Sequence, residues 1–148
     1  TRKESSAASD VYKRQGRGGT NFISIENERR VLKDMEYLSD WGQSTVVSLL
    51  EARNLSNRVH LLASGGIRHP LDAVKALRLG AEAVGMSRPI LKRVHEAGVE
   101  ETVQYIENFK TQMAHIMTLL NARTIQELRQ SAIVFDPYLK NWMQQRQL

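Results

Sequence analysis

The residues of this chain best suited to chemistry sit in two glycine turns. The first is Ala63-Ser64-Gly65-Gly66-Ile67-Arg68, and the second, Gly85-Met86-Ser87-Arg88-Pro89, brings Ser87 19 positions after Arg68. Each follows a short apolar run, so each lies at the C-terminal end of an expected strand. Gly65 and Gly66 let the backbone approach an oxyanion closely, while the Arg68 guanidinium and the Ser87 hydroxyl can donate to its oxygens. Two such turns at successive parallel strand ends suit a phosphate held by backbone N–H groups and a helix N-terminus. The competing reading is structural: the glycine pair closes a tight turn and Arg68 is a solvated charge. His60, inside an apolar run, reads as a core or strand-end histidine, and His69, before Pro70, as a turn or cap. His95 and His115 lie on helical stretches without a partner at metal-ligand spacing, and Trp41 and Trp142 read as packing anchors.

The turns are useful only if the surrounding elements hold them side by side. Residues 58–64 form a strand-length apolar run that stops at Gly65-Gly66. Pro70 suits a first helical position, Ala73, Val74, Ala76 and Leu77 share one face, and Gly80 ends the helix. Residues 81–86 read as a second short strand. Strand, glycine turn, helix of about ten residues and strand make a βαβ crossover, which implies parallel strands buried on both faces. Upstream, Gly16-Arg17-Gly18-Gly19-Thr20-Asn21 is a glycine-dense loop, and residues 29–38 read as a connecting helix or loop. Ser44 caps a helical run through Val46, Val47, Leu49 and Leu50 that stops near Asn54. Downstream, Val103, Ile106, Phe109, Met113, Ile116, Met117 and Leu120 keep a 3.6 period from Val99, predicting a long sheet-covering helix that stops at Asn121. Thr124-Ile125-Gln126-Glu127 has capping-box spacing and opens a last helix, which Asp136-Pro137 breaks.

Two strands and the end of one before Gly16 cannot close a sheet, and a complete (β/α)8 barrel needs about 250 residues. The expected fold class is therefore α/β, the C-terminal portion of a (β/α)8 TIM barrel. It would run from the end of strand six to helix eight, plus a C-terminal helix.

Composition narrows the function. The chain has 148 residues, 41% of them apolar and 25% charged, which is ordinary for one globular domain. With no cysteine there is no disulfide framework, Cys-ligated metal or thiol nucleophile, which favours a cytoplasmic protein. No signal peptide or membrane span stands out. The net charge of +5 suggests nucleic acid, but residues 1–15 carry +2 of it and the rest shows no basic block with interleaved aromatics. Neither nucleic acid nor membrane is an expected partner. Residues 5–15, SSAASDVYKRQ, lack periodicity and back-translate, in frame and without mismatch, to a transposase sequencing adapter ending in its mosaic end. Residues 1–15 are accordingly expected to be a non-native leader and 16–148 the barrel portion. The alternative is a disordered basic arm.

GRGGTNF with IENERR, DWG followed at two residues by Thr45, ASGGIRHPLDAVKAL and LGAEAVGMSRPIL, in that order, resemble the C-terminal half of type 2 isopentenyl diphosphate isomerase, the flavin-dependent form. The likeness covers nearly all of residues 16–148. The SGGIR turn alone is shared among FMN-binding barrels. The resemblance implies an enzyme of isoprenoid biosynthesis that converts isopentenyl diphosphate to dimethylallyl diphosphate with reduced FMN, Mg2+ and NADPH, as a homo-oligomer at full length. Carried over by motif, Gly65, Gly66, Ile67, Arg68, Ser87 and Arg88 would hold the FMN phosphate, and Thr20 would contact the flavin from the loop after strand six. Asn21 and Glu26 would lie near that loop, with an N-cap and a solvated helix carboxylate as their plain readings. The family's substrate-diphosphate residues, its Mg2+-ligating Glu and its flavin-contacting Lys belong to an N-terminal portion, so no catalytic or metal-binding residue is expected here.

Three other functions compete. A 2-hydroxy-acid oxidase-like FMN enzyme would share the phosphate loops but needs a catalytic His beside an Arg at a strand end. A purine-nucleotide barrel enzyme needs a catalytic Cys loop, and this chain has no Cys. The last is a small basic interaction domain. If the resemblance holds, genomic DNA should read upstream through the Gly16 codon into roughly 200 further barrel residues. Purified residues 16–148 are then expected to show no isomerase turnover with FMN, Mg2+ and reductant; measurable turnover would overturn the partial-barrel reading.

Overall fold

The computed structural model describes residues 22–30, 34–55 and 59–148. The glycine-dense loop with Thr20 and Asn21, and the leader, lie outside them. The described elements are α1 (Phe22–Arg29), α2 (Thr45–Ala52), β1 (Leu62–Ser64), α3 (Pro70–Arg78), β2 (Ala83–Gly85), α4 (Arg88–Leu119), α5 (Ile125–Leu128) and α6 (Pro137–Arg146), with 3-10 turns at Glu36–Leu38 and Arg53–Leu55.

The strand–helix–strand unit forms as its residues require. The strands pair in parallel with Leu62 opposite Ala83, Ala63 opposite Val84 and Ser64 opposite Gly85. Pro70 opens α3, where the missing N–H of proline costs no hydrogen bond. Asp72 accepts from the Arg68 and His69 N–H groups at 3.0 and 3.4 Å. The helix stops at Gly80, whose φ of +110° an L side chain would resist. Ala73, Ala76 and Ala63 are buried together with Leu50, Ile67 and Phe109, so the core lies between the sheet and its helices. A second cluster joins Val74 and Leu77 of α3 to Ala122 and Leu128.

Several expectations need correction. The strands have three residues each and β1 is covered on one face only: Ala63 is buried but Leu62 is 72% exposed. The apolar run that suggested burial on both faces ends in open solvent because no described element covers the second face. α1 carries Glu26, in keeping with its plain reading as a helix carboxylate; its Ile23 and Asn27 are buried, and Asn27 accepts from the Met35 N–H and donates to Glu36. Helical structure also begins at Arg88 rather than Val99, and Gly98 (φ 82°, ψ −179°) divides α4 into segments 88–97 and 99–119. Asn121, with φ 53°, ends the second segment as expected. The helix opened by Thr124 lasts one turn, and Asp136-Pro137 starts a helix instead of breaking one. Asp136 Oδ1 accepts from the Leu139 N–H at 2.8 Å, and Pro137 takes the first helical position. Trp41 is 72% exposed and anchors no core. Trp142 is half-buried but joins neither core cluster; it reaches α2 through a hydrogen bond to Glu51.

The last helix is held by a buried charge. Glu51 of α2, its side chain 7% exposed, accepts from Trp142 Nε1 at 2.8 Å and from Arg146 Nε at 2.9 Å. The Arg146 hydrogen bond is the main cause that holds the Glu51 carboxyl below the usual glutamate range; burial opposes it, and the Trp142 bond and the Arg146 charge reinforce it. A carboxylate whose folded pKa is lowered stabilises the fold above its unfolded pKa and loses that contribution as pH falls through the folded value. Glu51→Gln should therefore cost about 1.5–3 kcal/mol near neutral pH. In urea titrations of the chain, the gap between wild type and Glu51→Gln should narrow as pH falls through and below the usual glutamate range; a gap independent of pH would show that the carboxylate charge contributes nothing.

Candidate functional site

The parallel register makes the site. Because Ser64 pairs with Gly85, the two glycine turns leave adjacent strands at the same end, about 4.8 Å apart. The first turn runs through Gly65 and Gly66 at φ of +92° and +75°, a left-handed pair that glycine adopts without strain. Ile67 points back into the core, which pins the turn from below. Arg68 stays exposed. Its backbone N–H is committed to Asp72, so Arg68 can offer an anion only its guanidinium.

The second turn ends in Ser87 and Arg88, at the start of α4. Ser87 occupies the N-cap position but its hydroxyl makes no capping bond, so the first-turn N–H groups of segment 88–97 lack that internal acceptor. Among the described residues no carboxylate lies within ion-pair distance of Arg68 or Arg88. Two exposed guanidiniums, a free-standing serine hydroxyl, two glycines and a helix N-terminus can together receive an oxyanion. Gly85 has room for a side chain: a Cβ there would rest in ordinary contact, 3.4 Å from Ser64 Oγ.

Sequence reading missed one support. Thr45, first residue of α2, donates its hydroxyl to the Gly65 carbonyl at 2.5 Å, while Ser44 caps the same helix through the Val47 N–H at 3.2 Å. Thr45 stands with the DWG motif in the resemblance without a role; its position just inside a helix start is what lets its hydroxyl reach a neighbouring turn. A cleft of about 200 Å³ opens between α2, α3 and this turn, lined by Thr45, Gly65, Gly66, Ile67, Asp72 and Lys75. Arg68, Ser87 and Arg88 lie outside its lining; the sheet register sets the two turns that carry them at one end of the sheet.

The remaining candidates are accounted for structurally. His69 caps α3, its Nε2 3.4 Å from Asp72 Oδ2. His60 stands exposed before β1, with Nδ1 2.6 Å from Glu82, at the strand ends opposite the turns. Glu26 is exposed and pairs with Arg29 at 3.3 Å. Thr20 lies outside the described residues.

The sequence profile of FMN-dependent dehydrogenases matches residues 39–135, a stretch that holds both turns and every element between them. The chain belongs to the FMN-dependent dehydrogenase family. Curated relatives named isopentenyl-diphosphate delta-isomerase from Staphylococcus epidermidis and Staphylococcus aureus are 58% and 55% identical to it over 133 residues. That match takes in 90% of this chain and 38% of each relative, so the chain spans well under half the length of the curated relatives it matches. Among solved structures, a flavocytochrome b2 mutant with benzoylformate is 28% identical with a TM-score of 0.55, over 70% of this chain and 31% of that one. Family and structural likeness together make the observed unit part of a TIM barrel.

The glycines of this family member differ in what they tolerate. Gly66→Ala forces a side chain into left-handed backbone and should cost roughly 1–2 kcal/mol. Gly85→Ala meets only ordinary contacts and should stay within about 0.5 kcal/mol of wild type. Chemical denaturation of the two variants checks the contrast; equal losses would mean that Gly66 φ is not what the turn requires.

Proposed function

We propose that this chain is the C-terminal portion of an FMN-dependent isopentenyl-diphosphate delta-isomerase, from the end of barrel strand six to helix eight plus a C-terminal helix. Gly65, Gly66, Ile67, Arg68, Ser87 and Arg88 hold the FMN phosphate, and Thr20 meets the flavin from its loop. The observation that carries this reading is the Ser64–Gly85 pairing, which sets two donor-rich turns at one end of the sheet. The identity of 55–58% to isomerases supports that reaction over others run on the same phosphate loops.

The group fits the residues that are present. A phosphate dianion needs donors on several sides, and this chain offers two guanidiniums, the Ser87 hydroxyl and glycine backbone at left-handed φ. When bound, the reduced flavin ring supplies the site at which the double bond of isopentenyl diphosphate is moved. Mg2+, NADPH, homo-oligomeric assembly and a cytoplasmic location belong to the same reading of the full-length enzyme. Among the described residues no three metal-capable side chains come together and no helix is long and apolar enough to cross a membrane. No Mg2+ ligand is assigned to this chain. A 2-hydroxy-acid oxidase reading would use a histidine beside Arg68, but His69 is engaged in the cap of α3 with Asp72.

The test separates phosphate from flavin ring. A charge-assisted contact contributes about 1.5–3 kcal/mol, so Arg68→Ala in the full-length enzyme should weaken FMN roughly ten- to a hundred-fold. Riboflavin lacks the phosphate and should lose far less. If both ligands weaken alike, or neither does, Arg68 serves the fold or solvent and the phosphate assignment is withdrawn.

A further inference from the structure

Glu51 has no part in the proposed reaction, yet it is a buried carboxylate with two long-range partners. Trp142 and Arg146, 91 and 95 residues further along the chain, both donate to it from α6. The same helix α2 begins at Thr45, whose hydroxyl grips the Gly65 carbonyl at 2.5 Å and lies 3.5 Å from that of Ser64. Between these two attachments α2 is a continuous helix of eight residues, about 12 Å long, with Val47, Leu49 and Leu50 buried. A short helix packed on its apolar side transmits displacement rather than bending. One end of α2 is thus fastened to the last helix of the chain and the other to the first glycine turn.

We propose that Glu51 is a positioning residue for the glycine turn: acting through α2 and Thr45, it lets the docked C-terminal helix set where Gly65 and Gly66 stand. On the FMN reading of that turn, on which this extension rests, Glu51 tunes the grip on the flavin phosphate without touching it. A clamp that only added stability would leave the turn where it is. The expected signature is therefore local displacement at residues 65–67, relayed through one hydroxyl.

The experiment compares Glu51→Gln, Arg146→Ala, Thr45→Val and the Glu51→Gln/Thr45→Val pair. In the full chain, backbone amide NMR reads the turn through Gly65, Gly66 and Ile67. In the full-length enzyme, dissociation constants are measured for FMN and for riboflavin. Glu51→Gln and Arg146→Ala should each move the turn resonances and weaken FMN roughly three- to ten-fold, a usual size for indirect coupling, with riboflavin nearly unchanged. With Thr45→Val already present, Glu51→Gln should add nothing to either readout. If Glu51→Gln does not fold, Arg146→Ala and Trp142→Phe carry the same comparison. Turn resonances indifferent to Glu51 and Arg146, or an effect of Glu51→Gln undiminished by Thr45→Val, would overturn the proposal. If Arg68→Ala leaves FMN unaffected while the resonances still follow Glu51, the phosphate reading falls and the coupling through α2 stands. If Arg68→Ala weakens FMN and Glu51→Gln does not, the positioning role falls alone.

Discussion

Three residue pairs of parallel strand decide where everything else stands. A parallel ladder cannot be closed by a tight turn; it needs a crossover that leaves one strand end and returns to the other. α3 is that crossover, and its buried Ala73 and Ala76 belong to the same core cluster as the buried Ala63 of β1. Small side chains on both surfaces let the helix lie close to a sheet only three residues deep. Larger residues there would lift α3 and widen the gap between the turns, although the turn residues themselves were unchanged.

The neighbouring helix starts are treated differently. At α3 the protein supplies its own anion, Asp72, which takes the N–H groups of Arg68 and His69. At α4 no side-chain cap is made. The first helix start is consumed in holding the turn's shape, while the second, after the adjacent strand, has no side-chain cap and begins with Arg88. On the proposed reading, an anion at this end of the sheet would meet one uncapped helix start rather than two competing ones.

Local rules made much of this legible in the sequence. Ser44, Pro70, Gly80, Thr124 and Asn121 act where their chemistry places them, because capping and left-handed φ depend on a few neighbouring atoms. Residues whose role depends on distant partners were read less well. Leu62 looks like core because it is apolar, but burial depends on whether another element covers it. Asp136-Pro137 is a stop when read from upstream and a start when read from downstream, and only the chain's path decides which. Thr45 and Glu51 gave almost no signal, since the groups they hold lie 20 residues away in one case and 91 and 95 in the other. The two turns were legible because glycine, serine and arginine after short apolar runs are a local pattern. That the two turns share one end followed from the parallel reading of the crossover.

Gly98 carries a consequence for how such a chain can change. In an uninterrupted helix each inserted or deleted residue rotates all that follows by about 100°. With φ at 82° the ladder is broken and the helical phase starts afresh at residue 99. Segments 88–97 and 99–119 therefore keep separate angular registers. Length can be gained or lost in segment 99–119, and its apolar stripe re-aimed, without turning Ser87 and Arg88 away from their end of the sheet.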